Sequence, residues 1–353
     1  GAGFVSAASF ISGKSVHAIS TTNQRSVASI ESNVVIPVWP SWGGGRVVPV
    51  SLGGPQQDPF LLLAHHKHWF DPRDPLRKPF QMAGKALGLP YVDVEGFSMH
   101  PHRGFDILTY IIDGSDGFQH RDSLNKSARI YRGGTAQFMR TGSGVLHEEF
   151  WETRPDRRTD IELFQLWINL PALHKMDEPV IQYIGKSTDT PWIEETSNGV
   201  QVRHVGSTLN ACLSRYDLND VGRSITIDHV TMKPGATWTP PVTADHSALL
   251  YVREGTGTLG REQEIVKALQ TATFHSDGGA ITIQNADLRK SLDFLFLAGV
   301  PLCEPVAMGG PIVMNTQQEI NDAYRQLQNG TFLKRHVVLR EHGETLSQSG
   351  RNL

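Results

Sequence analysis

From Val34 onward the chain breaks into short apolar runs divided by clusters of turn-forming residues: DILTYIIDG, TAQFMRTGSG, ELFQLWINL, SITIDHVTM, ALLYVREGTG, AITIQN and LDFLFLAG. Runs of this length, rich in β-branched and aromatic residues and closed by Gly, Asp or Asn, predict strands, and their close succession predicts an all-β protein instead of repeated βαβ units. Several carry apolar residues at odd and even positions alike, so both faces of the strand are covered, as in a sandwich or small barrel. One segment reads as a helix with a defined start. Thr316 and Glu319 make a capping box, Ile320, Ala323, Tyr324 and Leu327 follow at helical spacing, and Gly330 stops it. The residues beyond it, 331–353, are polar and predict a frayed or surface-wrapped end.

The pattern also repeats. YIIDG (Tyr110–Gly114) is echoed by YVREG (Tyr251–Gly255), and AQF (Ala136–Phe138) by ATF (Ala272–Phe274). Both echoes fall at nearly the same offset, as a duplicated β-barrel unit requires. They predict an N-terminal unit over 34–190 and a C-terminal unit over 191–310, joined around GKSTDTPWIEETSNG, with the helix and tail at 311–353. Residues 1–33 are rich in Ser and Thr, carry Lys14 and Arg25, and have no acidic residue before Glu31, the composition of a disordered tail or an organelle transit remnant.

Charge narrows the partners. A net charge of -3 over 353 residues gives no global basic field, which argues against direct nucleic-acid binding. The two cysteines, Cys212 and Cys303, form no CxxC, so neither a disulfide framework nor a zinc ribbon is signalled. No apolar run reaches the about 18 residues of a membrane span. No GxSxG or P-loop occurs, and the glycines at 43–45 have no helix pattern behind them.

Candidate chemistry lies in SMHPHRGF. His100 and His102 stand two apart, and on a strand such residues project to one face, where neutral imidazoles can share a metal. Alone, the pair fits solvent-facing histidines as well. Downstream, RTGSGVLHEEF places His147 and Glu149 at the same spacing after a glycine-rich turn, while alternation turns Glu148 away. Two such pairs on neighbouring strands would give one ion three imidazoles and a carboxylate, leaving one or two positions open. That donor set suits Fe(II), Mn(II), Ni(II) or Cu(II), and the lack of sulfur argues against structural zinc.

HPHRGFDILTYIIDG, QHRDSLN, TGSGVLHEE, LFQLWINLPALHKMDEP and EPVAMGGPIVMNTQQEI, in this order over residues 58–330, resemble the signature segments of the pirin family in the cupin superfamily. The resemblance implies a bicupin: two jelly-roll β-barrels packed face to face, with a short C-terminal helix. It implies one mononuclear iron, Fe(II)/Fe(III), in the N-terminal barrel on His100, His102, His147 and Glu149. Where the family has Pro-Gly-Asp before the second metal motif this chain reads RGGT (Arg132–Thr135), which predicts a changed turn rather than loss of metal. Along the internal echo, His100 and His102 map to Pro241 and Thr243, and His147 and Glu149 map to Ile283 and Asn285. The second barrel is therefore expected to be metal-free.

The activity implied is a flavonol (quercetin) 2,3-dioxygenase, with a flavonol-like molecule and dioxygen as substrates and Glu149 accepting the hydroxyl proton. The alternative is a non-enzymatic, iron-dependent redox-sensing co-regulator that binds a transcription factor or other protein; either way an intracellular place, cytoplasm or nucleus, is expected, and a transit remnant would instead point to a plastid or mitochondrion. A structural cupin whose site is merely filled is the third reading. Other residues are read more plainly. His65, His66 and His68 are placed at a surface or cavity rim, and His120, Arg121 and Asp122 in a charged turn. Arg103 either fixes a loop or hydrogen-bonds Glu149.

Overall fold

The computed structural model describes residues 24–38, 44–88, 96–123, 128–185, 193–207, 223–334 and 338–340. The first half contributes β1 (Val27–Ser32), β2 (Ile36–Pro37), β3 (Gly44–Ser51), β4 (Phe60–Phe70), α1 (Arg77–Ala86), β5 (Gly96–His102), β6 (Phe105–Ile111), β7 (Phe118–Asp122), β8 (Arg129–Tyr131), β9 (Thr135–Arg140), β10 (Val145–Trp151), β11 (Thr159–Asn169) and β12 (Val180–Gly185). The second contributes β13 (Ile193–Ser197), β14 (Val200–Ser207), β15 (Thr226–Met232), β16 (Thr237–Trp238), β17 (Ser247–Glu254), β18 (Thr256–Leu259), β19 (Glu264–Lys267), β20 (Gln270–Phe274), β21 (Ile283–Asn285) and β22 (Leu292–Gly299). The hairpin β23 (Ala307–Gly309) and β24 (Ile312–Met314), α2 (Gln317–Gln328) and β25 (Val338–Arg340) follow. The capping box is formed as expected: Thr316 Oγ1 accepts from the Glu319 amide, and Glu319 accepts from the Thr316 amide. Helix α1, whose N-cap Leu76 offers no side-chain cap, carried no start signal in the sequence.

Each half is a large sheet covered by a four-stranded one. The first large sheet runs β2-β3-β4-β11-β6-β9-β12-β25 and its cover β5-β10-β7-β8; the second runs β1-β20-β17-β22-β15-β14-β13 and its cover β16-β21-β18-β19. Read in parallel these orders superimpose, β4 on β15, β11 on β22, β6 on β17 and β9 on β20, so the sequence echo marks a duplicated two-sheet jelly roll. Strand alternation explains the doubly apolar runs. In β6, Ile107 and Ile111 enter the core between the first large sheet and its cover, whereas Leu108 and Tyr110 enter a separate core shared with Ile227, Leu249, Leu295 and Leu297 of the second half. The two large sheets therefore pack face to face.

Two sequence expectations change. Residues 27–32 were placed in the tail, yet β1 pairs with β20 and holds in the second sheet the place that β12 holds in the first. Val27 and Ile30 pack on the second core, and the fully buried Arg25 guanidinium donates to the carbonyls of Thr243 and His246, the latter at 2.8 Å. Residues 1–23 lie outside the described residues. The segment read as a connection around 185–199 also carries structure, since β13 forms the edge of the second sheet beside β14.

Candidate metal centre

The centre is built where β5 and β10 pair. Their antiparallel register sets His147 opposite His100 and Val145 opposite His102, with an irregularity between His147 and Glu149 that sets Glu149 opposite Phe97. Pleating sends His100, His102 and His147 to the same side, and their ligand atoms all lie within 4.8 Å of one another. His100 Nε2 and His147 Nε2 are 3.0 Å apart. Metal–imidazole bonds of about 2.0–2.1 Å put adjacent ligand nitrogens about 3 Å apart, so this spacing is that of two donors on one ion.

Backbone carbonyls set the tautomers. His100 Nδ1 lies 2.7 Å from Ser98 O and His102 Nδ1 lies 3.1 Å from Pro311 O. A carbonyl can only accept, so each Nδ1 carries the proton and each Nε2 keeps its lone pair for an ion. Burial lowers the imidazole pKa values, to about 3 for His102 and well below the usual value for His147, so the rings are neutral ligands. His102 is further boxed by the Phe105 and Trp167 rings, whose centroids are 5.4 and 5.6 Å away.

Glu149 is buried beside this cluster, but its carboxylate does not join the convergence of the three imidazoles. One oxygen accepts from Gln165 Nε2 at 3.2 Å, while Oε1 is buried with no hydrogen-bond partner. Burial pushes its pKa up to about 8 against the Gln165 bond. Neutral imidazoles at ligand spacing, beside a buried carboxyl with an unpaired oxygen, fit a divalent ion. Among the described residues no other group of three His, Cys, Asp or Glu side chains converges in this way.

The turns flanking the triad are held rigidly. Gly104, just after His102, has φ +85° and approaches β24 so closely that a Cβ would lie 2.0 Å from Val313 O. Its N–H donates to Gly142 O at 3.0 Å, and Gly142, φ +43°, leaves no room for a Cβ against Asp177 O. Thus the glycines of HPHRG and TGSG join the two halves of the site.

The family sequence profile described as Pirin matches residues 56–168, and that described as Pirin C-terminal cupin domain matches 227–333. The chain belongs to the pirin family. It is 31% identical over 82% of its length to a pirin-like protein of Solanum lycopersicum, covering 87% of that chain. It is 30% identical over 82% of its length to a Pseudomonas aeruginosa protein provisionally named a quercetin 2,3-dioxygenase, covering 93% of it. The crystal structure of quercetin 2,3-dioxygenase from Acinetobacter baumannii superimposes with a TM-score of 0.70 at 25% identity, covering 87% of this chain and 98% of that one.

Several residues of this pirin sit elsewhere than their sequence context suggested. Arg103 donates to Ser143 O at 2.8 Å, Gln326 Oε1 at 2.9 Å and Phe332 O at 2.6 Å, pinning α2 and the chain after it; Glu149 is not its partner. Glu148 turns outward to pair with Arg121, as alternation required. His65, His66 and His68 are buried rather than at the surface, because β4 is an interior strand with both faces covered, though His68 also lines a cavity. His65 enters the interface between the large sheets, while His68 packs against Trp151 at 4.5 Å between centroids. QHRD is no turn: His120 is a buried residue of β7 whose ring is 5.2 Å from that of His147. A cavity of about 460 Å³ lies away from the triad, between Arg46, Lys67, His68, Trp69, Arg158 and Glu162.

The counterpart positions in the second barrel also need correction. In the cover sheets β16 and β21 occupy the places of β5 and β10, and Ile283 pairs with Trp238 as His147 pairs with His100. Trp238 and Pro240 thus answer to His100 and His102, in place of Pro241 and Thr243. The offset is not constant because the loops of the two repeats differ in length. Contacts from remote segments were invisible in the sequence. The Pro311 carbonyl that orients His102 and Lys175, whose ammonium donates to Gly104 O at 2.8 Å and Asn169 Oδ1 at 2.6 Å, come from elsewhere in the chain.

Proposed function

We propose that this protein is a mononuclear-metal dioxygenase acting on flavonols of the quercetin type, with iron on His100, His102, His147 and Glu149. The supporting observation is the triad of imidazoles whose ligand atoms converge within 4.8 Å, two of them held by backbone carbonyls with Nε2 unprotonated. The likeness to the Acinetobacter baumannii quercetin 2,3-dioxygenase over most of both chains supports the substrate class. A bound divalent ion supplies Lewis acidity and one-electron chemistry.

The protein's own groups do the rest. The carbonyls of Ser98 and Pro311 keep His100 and His102 in the binding tautomer. Glu149 completes the set by turning Oε1, which has no other partner, toward the triad. Burial disfavours its charged form, which would be restored beside a bound divalent ion, so Glu149 would take the proton of the flavonol 3-hydroxyl as a carboxylate. Phe105 and Trp167 exclude water on the His102 side. We read 34–190 as the unit that holds the centre and 191–310 as the second barrel, with residues 27–32 added to the latter.

Anaerobic purification, metal analysis and oxygen-dependent flavonol consumption test this reading. About one iron per chain with turnover abolished by His100→Ala is expected. Full metal loading without oxygen-dependent consumption of any flavonol would refute it.

A further inference from the structure

The three imidazoles differ in one respect. His100 and His102 each have a carbonyl on Nδ1, whereas Nδ1 of His147, a residue with no exposed surface, is buried without a hydrogen-bond partner. Beside it lies a second orphan. His120, 2% exposed, has a buried Nε2 that also lacks a partner. The two ring centroids are 5.2 Å apart and the planes tilted by 54°. A ring-to-ring N–H···N bond spans about 3 Å between nitrogens and adds about 1 Å on each side to reach the ring centres, about 5 Å in all.

Strand geometry holds the rings in this relation. In β7 the residues Phe118, His120 and Asp122 alternate inward, and the register with β10 sets Asp122 opposite His147 and His120 opposite Glu149. His120 thus projects into the same interior as the triad. Leaving both orphan nitrogens unbonded would cost about 1–3 kcal/mol apiece.

We propose that His120 is the positioning residue of the metal centre, its Nε2 serving as the hydrogen-bond partner of His147 Nδ1. This inference rests on the metal-centre reading above. With His147 Nε2 given to an ion, the His147 proton sits on Nδ1 and is accepted by His120 Nε2. Without an ion, His100 Nε2 is a bare acceptor, so His147 donates to it from Nε2 at 3.0 Å and its own Nδ1 is left bare, as found here. Both imidazoles stay neutral throughout. Ion binding takes the proton from His147 Nε2 and leaves the neutral ring protonated at Nδ1, and that N–H then finds its acceptor in His120 Nε2. Two ligands are therefore oriented by fixed carbonyls and the third by a side chain.

The test uses the full chain stripped of metal and reloaded with Co(II). Its affinity is measured by chelator competition, and the ring N–H protons of the bound histidines by paramagnetic NMR in water. His120→Leu is expected to weaken Co(II) binding by about 10- to 100-fold and to let one of three shifted N–H signals vanish into solvent exchange. His120→Gln, whose amide oxygen accepts, should regain most of the affinity and the signal. Wild-type affinity with all three signals in His120→Leu would overturn the proposal, as would equal weakening in both variants, the mark of a packing defect. A wild-type chain that takes up no Co(II) would instead overturn the metal centre itself, so the two failures are distinguishable.

Discussion

Tyr251 reaches across the interface between the two large sheets to His65, its hydroxyl 2.9 Å from Nδ1, and His65 Nε2 lies 2.9 Å from Glu162. The duplicated fold repeats this in reverse: Tyr110 reaches His229 Nδ1 at 2.7 Å, and His229 Nε2 lies 3.1 Å from Asp293. The positions correspond, since Phe164 pairs with both His65 and Tyr110, and Leu295 with both His229 and Tyr251. Burial alone would raise the Glu162 pKa, but hydrogen bonds from His65 and Arg253 hold it far below the usual carboxylate range. The hydroxyl proton of each tyrosine thus goes to an imidazole of the other half.

Tyr251→Phe leaves His65 Nδ1 buried without its donor and should lower stability by about 1–3 kcal/mol. Tyr110→Phe should cost a similar amount, and the double variant should depart from the sum, because Arg253 pairs with both Glu162 and Asp293 and so couples the two relays. Urea unfolding measures all three. A loss below about 0.5 kcal/mol for Tyr251→Phe would show the bond to be energetically idle.

Asp106 carries a second cross-half link. Fully buried, it accepts from Arg140 Nε at 3.2 Å and from Arg223, which also donates to Asn169 O at 2.7 Å. Asp106→Asn removes the negative charge that faces these two buried guanidinium groups and should destabilise by about 3–5 kcal/mol. Denaturation midpoints test this, and near-wild-type stability would mean that solvent reaches the arginines.

Acid should weaken the fold before its carboxylates titrate. Burial lowers His66 to about 3 and His68 to about 4 from 6.5. As pH falls below 6.5 the unfolded chain takes up protons that the folded chain refuses, so the stability present above pH 6.5 is lost progressively toward pH 4 and 3. His68→Phe, in a pocket already lined by Phe70 and Trp151, should remove about one proton from the slope of stability against pH between 6 and 4.5. An unchanged slope would mean that His68 is protonated in the folded protein.

Metal should stabilise the protein by mass action. At a free ion concentration 100-fold above Kd the gain is about 2.7 kcal/mol, visible as a rise in Tm that a chelator reverses. His102→Ala and His147→Ala should abolish the response and Glu149→Gln only reduce it. A full Tm rise in His102→Ala would place the ion elsewhere.

How much of this was legible in the chain depended on the range of the interaction. His100, His102 and His147 could be grouped because pleating converts a two-residue spacing into a shared face, and Thr316 with Glu319 because a capping box is local. His120 was misread as part of a turn, since QHRD is polar and nothing nearby shows that strand β7 faces an interior. His65 was equally opaque. Its partners Glu162 and Tyr251 lie 97 and 186 residues away, and only the register of two sheets brings them together. The Tyr110–Tyr251 echo revealed the duplication, but not that β1 would complete the second sheet.

That last strand bears on how the molecule assembles. Ser26 to Ser32 must remain without a partner until Gln270 to Phe274 have been synthesised and have joined β17, so the described segment made first is among the last to settle. During that interval the edge of β20 presents unpaired backbone groups, open to the corresponding strand of another chain. Arg25, buried against the carbonyls of Thr243 and His246, then acts as a proofreading peg: the strand is fully seated only when its own guanidinium has found that socket.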